Sequence, residues 1–237
     1  MKRRSTVSAS IAVLASLVLA GSALAAFAGA SNGSFETGTG DPGASTQLNA
    51  GSTVLTGWTI TTGSIDWIGS LWTSQSGARS LDLSGVGAGA ISQTLATRIG
   101  KKYDVSFYLA GNPLAAPAVK TLTVSATGGA PVTYTFDTTG RSVTSMGWTA
   151  KTYTFHATST SAVLTFTSVT NTNAGPALDN VVVTEKAAAG TPGGPGAACK
   201  AGGWKTAVDK AGNHFKNQGD CVSYYATKGK NLGSVKH

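Results

Sequence analysis

Hydrophobic and polar residues alternate over short stretches along most of this chain. In "KYDVSFYLAG" (102–111) Tyr103, Val105, Phe107 and Leu109 fall on one side and polar residues on the other. The same period of two runs through "AISQTLA" (90–96), "KTLTVSA" (120–126), "VTYTFDT" (132–138), "KTYTFHA" (151–157), "AVLTFTS" (162–168) and "ALDNVVV" (177–183). "GWTITTGSIDWIG" (57–69) reads as two strands broken at Gly63, and "RSLDLSG" (79–85) as another. Alternation of this kind marks half-buried antiparallel strands with one face on a core. No stretch of the main region carries a helical period. Ten or so short strands with Gly-rich turns predict an all-β fold, a two-sheet jelly-roll β-sandwich.

The ends of the chain break this pattern. Lys2, Arg3 and Arg4 precede a short apolar run, Ile11 to Ala20, and Ala23-Leu24-Ala25 is a small-x-small site. This is the layout of a secretory signal peptide over 1–25, so the mature protein is expected to be secreted or extracellular, at or near the cell surface. The segment 187–198, "AAAGTPGGPGAA", reads as a Gly/Ala/Pro linker. It divides a domain at 31–186 from a module at 199–237.

Charge sharpens the division. The chain of 237 residues has a formal net charge of +8, but residues 26–198 hold eight basic and eight acidic residues and are neutral. Residues 199–237 hold seven Lys against Asp209 and Asp220. A neutral main domain argues against nucleic acid as its partner, because that binding rests on phosphate neutralisation. The basic tail is either a solvated face or a contact for anionic envelope polymers. Cys199 and Cys221 are the two cysteines. In an exported chain they are expected to pair, closing a small loop in the tail.

Several separate stretches agree with one known family. "NGSFE", "GWTI…GSIDWIG", "GARSLDLSG", "GAISQTLAT", "YDVSFYLAGNP", "MGWTAKTYTFHA", "LTFTS" and "GPALDNVVV" occur in this order over about 31–184. In order and spacing the chain resembles the choice-of-anchor C family of bacterial secreted and surface proteins, related to the domain of unknown function 642. The resemblance implies a galactose-binding-like jelly roll, an extracellular location and a polysaccharide partner. It implies no known activity. In modules of that fold an early "FE" and a late "D-x-V" lie side by side and often hold one structural Ca²⁺. Glu36 and Asp179 match those positions, and Asp41 could add a ligand to an oxygen-rich set. The alternative is that these carboxylates accept hydrogen bonds from backbone amides at a strand junction. "NGSFE" itself reads as the first strand, with Phe35 plugging the core.

A carbohydrate site would need flat aromatics with polar neighbours. Trp72, in the loop "GSLWTSQSG", is the candidate expected to be most exposed. Trp67, Asp66, Gln93 and Asn112 are the further candidates, while Trp58 and Trp148 read as core plugs. Enzyme patterns are weaker. "GASNG" (29–33) fits G-x-S-x-G without a preceding strand, and "GTGDPG" (38–43) fits G-x-G-x-x-G without a following helix. A glycosidase needs two facing carboxylates; Asp66, Asp82, Asp104 and Asp137 are available. His156 reads as a solvent-facing strand residue. The leading expectation is a non-catalytic carbohydrate-binding module. A structural or adhesive surface protein without a sugar site is the alternative, and a glycan hydrolase is a weaker one.

Overall fold

A computed structural model describes residues 29–186, 199–200, 202–227 and 229. The expected signal peptide and linker lie outside these residues. The strands are β1 (Ser45–Asn49), β2 (Thr59–Thr62), β3 (Ser64–Ile68), β4 (Ser80–Asp82), β5 (Ala90–Ala96), β6 (Lys102–Gly111), β7 (Val119–Ala126), β8 (Val132–Asp137), β9 (Thr149–His156), β10 (Ser161–Ser168) and β11 (Pro176–Glu185). They form two antiparallel sheets. One has six strands in the order β1-β3-β4-β11-β6-β9; the other has five in the order β2-β5-β10-β7-β8. The jelly-roll sandwich expected from the alternation is the fold observed.

The alternating residues explain why the sheets stack. Tyr103, Val105, Phe107 and Leu109 of β6 are all at most 1 % exposed, as are Leu164 and Phe166 of β10. Phe107 and Phe166 meet edge to face at 5.3 Å, and Trp58 joins Phe166 at 6.1 Å. Aromatic pairs of this geometry contribute beyond their buried area.

"NGSFE" is not the first strand. Asn32 (φ 49°) and Phe35 (φ 60°) adopt left-handed conformations, and the Phe35 N–H turns back to the Asn32 carbonyl at 3.1 Å. Such backbone cannot continue a strand. The segment instead lies against β11: the Val181 N–H donates to the Gly33 carbonyl at 2.8 Å, where the β6–β11 register shifts between Asp179 and Val182. A Cβ on Gly33 would sit 1.9 Å from the Val181 carbonyl oxygen, so only glycine fits. Phe35 is fully buried, as expected.

The tail folds around the Cys199–Cys221 disulfide, as expected, with a short helix α1 (Gln218–Ala226). Asn217 caps it, accepting from the Asp220 N–H at 2.9 Å. Phe215 and Tyr224 pack with the two cysteines as a small core.

Candidate functional site

The expected aromatic platform is buried. Trp72 is 5 % exposed and Trp67 2 %, and both indole N–H groups are spent on the protein. Trp72 Nε1 donates to Ser80 Oγ at 2.8 Å, and Trp67 Nε1 to the Phe35 carbonyl at 2.9 Å. The segment 69–79 lies on the outer side of the six-stranded sheet. Beneath it Ala110 and Ala177, cross-strand partners on that side, have no exposed surface. Trp148 extends the layer by donating to the Thr73 carbonyl at 3.0 Å.

The three expected metal ligands do converge, but on this segment. Asp179 Oδ2 accepts from the Gln75 and Ser76 N–H groups at 2.8 and 2.9 Å, and its Oδ1 from the Asn180 N–H at 2.6 Å. Glu36 Oε1 accepts from the Ala78 and Arg79 N–H groups at 2.9 and 2.8 Å. Asp41 Oδ1 accepts from the Arg79 guanidinium at 3.1 Å. Oxygens aimed at N–H donors beside a guanidinium do not fit a calcium ion that needs six to eight oxygen ligands. Among the described residues no three His, Cys, Asp or Glu side chains gather to hold a metal. The carboxylates bracket the 74–79 segment instead.

Asp66 and Asn112 meet at Asp82. Asp82 faces Asp66 across β3 and β4. It is fully buried and accepts from the Ser84 and Gly175 N–H groups, each at 2.9 Å, and from Asn112 Nδ2 at 2.8 Å. Burial pushes its carboxyl up to about 7 against those three donors; burial also raises Asp66. Lys120, fully buried, donates from Nζ to the Ala115 and Ala174 carbonyls at 2.7 and 2.8 Å. Together these groups tie 112–118 to 170–175 at one end of the sandwich.

Neither Asn112 nor Gln93 faces a ligand. Asn112 Oδ1 accepts from the Leu114 N–H. Gln93 is 7 % exposed and bonds Ser31 twice and Gly57 once. The acid chemistry is equally committed. Asp82 is sealed, Asp104 is held by Thr154 and Lys186, and Asp137 caps Thr139. Asp66 and Asp137 lie on different sheets, in β3 and β8, so the four carboxylates form no facing pair on one strand or strand neighbour except Asp66 with the buried Asp82.

What stays open is the outer face of the five-stranded sheet. Register places Thr59, Ser92, Thr165 and Ser125 side by side across β2, β5, β10 and β7. A second row holds Thr167, Thr123 and Thr133 across β10, β7 and β8. All seven are half-buried or exposed. Their one side-chain hydrogen bond among the described residues joins Thr123 Oγ1 and Thr133 Oγ1 at 3.3 Å. Asp137, at the end of β8, is the one charge among the outward positions of these strands. The sequence signal was present as S/T-x-T repeats at 92–94, 121–123, 133–135 and 165–167.

A model of a protein family of unknown function, DUF642, matches residues 30–184. The chain belongs to the DUF642 family. The DUF642 domain accounts for the whole sandwich. Halomucin of Haloquadratum walsbyi is 34% identical over 166 residues, which is 65% of this chain and 2% of that protein. The chain thus spans about a fiftieth of that relative's length.

Solved structures resemble the DUF642 domain at low identity and low TM-score. A family 35 carbohydrate-binding module of Paenibacillus barcinonensis is 19% identical with a TM-score of 0.40, covering 60% of this chain and 99% of that one. A family 35 module of Clostridium thermocellum is 14% identical with a TM-score of 0.38, covering 61% and 95%. The module TmCBM61, solved with β-1,4-galactotriose, is 18% identical with a TM-score of 0.38, covering 66% and 97%.

Proposed function

We propose that this DUF642 domain is a secreted, non-catalytic carbohydrate-binding module of the choice-of-anchor C group. The observation that carries the reading is the uncovered face of the five-stranded sheet, charged at its outward strand positions only by Asp137 at its margin, with its two rows of Ser and Thr hydroxyls. Hydroxyls of this kind donate and accept, as sugar hydroxyls do, so each can exchange a water for a sugar oxygen at little net cost. The methyl groups of Thr59, Thr123, Thr133, Thr165 and Thr167 give the C–H edges of a sugar an apolar footing.

The basic tail is proposed as a second contact, to anionic envelope polymers. Lys200, Lys205, Lys210 and Lys216 supply a local field that salt would screen. A glycan array probed with the mature protein tests the proposal. Binding to polysaccharides by the folded protein supports it. Silence across the array, with self-association or protein binding intact, would instead favour the adhesive reading.

A further inference from the structure

We infer that the hydroxyl face takes a straight, uncharged, β-linked polysaccharide chain that lies across the strands rather than along them. This rests on the carbohydrate reading above and names its ligand class and orientation. Neighbouring strands lie about 4.8 Å apart, close to the length of one pyranose ring in an extended, equatorially linked chain. The row Thr59–Ser92–Thr165–Ser125 therefore offers one hydroxyl per sugar over about 14 Å. The row Thr167–Thr123–Thr133 repeats the offer one pleat further on, about 6.7 Å away.

Along β10 the hydroxyls run out: Thr165 and Thr167 are flanked by Val163 (43 % exposed) and, just beyond the strand, Val169 (55 % exposed). Along β7 the outward hydroxyls of Thr121, Thr123 and Ser125 continue, but two residues, about 6.7 Å, apart, which is longer than one sugar ring. Across the strands the first row is unbroken over β2, β5, β10 and β7, and the second runs over β10, β7 and β8 and ends at Ala90 of β5. The exposed valines border the rows and provide apolar contact for ring edges. A chain laid along β10 would meet two hydroxyls and two valines, and one laid along β7 would meet hydroxyls out of step with its sugars; a chain laid along the first row meets a hydroxyl on each of four strands.

No Lys or Arg occupies an outward position on these strands, so a uronate chain would bring carboxylates with nothing to neutralise them. Asp137 at the margin adds repulsion. With no aromatic ring on the face, each sugar contributes only modest hydrogen bonds. Binding then accumulates with chain length and fades for short oligomers.

The test is calorimetric titration of the full mature chain with cello-, xylo- and manno-oligosaccharides of two to six units. Maltohexaose supplies a bent α-linked control and oligomannuronate a charged β-linked one. The expected result is binding to at least one neutral β-linked series, strengthening up to about four units, the width of the longer row. Thr165→Val with Thr167→Val, which keeps shape and β preference, should weaken it about tenfold. Thr152→Val, exposed on the other sheet, should leave it unchanged. Neutral chains bound equally by parent and double variant would overturn the inference while leaving the carbohydrate reading standing. So would maltohexaose or oligomannuronate binding as tightly as the neutral β-linked chains. No binding to any saccharide by folded protein would overturn both.

Discussion

Replacing Trp72 separates a sugar platform from a structural plug. Trp72 is 5 % exposed, and a tryptophan side chain buries up to about 250 Å². At about 25 cal/mol per Å² that area corresponds to about 6 kcal/mol as an upper figure. Measured losses for buried Trp→Ala changes run about 3–5 kcal/mol. Ser80 Oγ, the fully buried acceptor of the indole N–H, loses that partner at a further cost of about 1 kcal/mol. Trp72→Ala is thus expected to remove about 4–5 kcal/mol, a large share of the stability of a domain this size. Trp72→Phe keeps most of the ring and gives up the hydrogen bond, so about 1–2 kcal/mol is expected. Urea unfolding followed by tryptophan fluorescence reads both, since a shift in midpoint at constant slope reports stability. Saccharide binding by folded Trp72→Phe should match the parent. A Trp72→Ala variant that stays within 1 kcal/mol of the parent yet loses binding would refute the reasoning and restore the exposed platform.

Three further outcomes follow from the buried polar groups. Burial raises Asp82 to about 7 and Asp179 to about 6, so the folded state holds their protons more tightly than the unfolded chain. The sandwich should therefore melt at higher temperature at pH 5 than at pH 8, with the gain lost as pH rises through 6 and 7 and diminished in Asp82→Asn. Partners lower the pKa values of Asp104, Asp137 and Glu185; these act oppositely, and only near and below pH 4. Because Glu36, Asp41 and Asp179 hold amides and Arg79, chelator-treated protein should show no change of melting temperature on adding Ca²⁺, whereas Asp179→Ala should expose 74–79 to limited proteolysis. Lys120→Met should cost about 2–3 kcal/mol in chemical denaturation by leaving the Ala115 and Ala174 carbonyls without their donor.

The strands were legible because one-face burial writes itself into the sequence as alternation. The segment at 90–96 and the one at 102–111 match β5 and β6 residue for residue. β1 was not legible: four of its five residues, in "STQLN", are exposed, so only Leu48 carries a burial signal. "NGSFE" misled because its left-handed turns are set by β11, about 150 residues away in the chain. Helix α1, nine residues in a polar tail, carries only Cys221 and Tyr224 as buried positions, too few to set a period.

The site was less legible than the fold. Whether Trp72 lies on the surface depends on Asp179 and Glu36 drawing 74–79 down onto the sheet, contacts that span 42 to 104 positions. Local sequence cannot encode that. Gln93 and Asn112 look like ligand binders by residue type, and both are instead consumed by backbone groups and Asp82. The pairing of Cys199 with Cys221 was readable from a count of two cysteines together with the expected export of the chain. The hydroxyl rows were visible as repeats, but their alignment across four strands needs the register.

Chemical-shift mapping tests the central claim most directly. Isotope-labelled mature protein would be titrated with whichever neutral oligosaccharide binds best, and amide shifts followed residue by residue. The account predicts that the largest changes cluster at Ser92, Thr123, Ser125, Thr165 and Thr167. Shifts confined to 69–79 or to the tail, or none at saturating sugar, would contradict it.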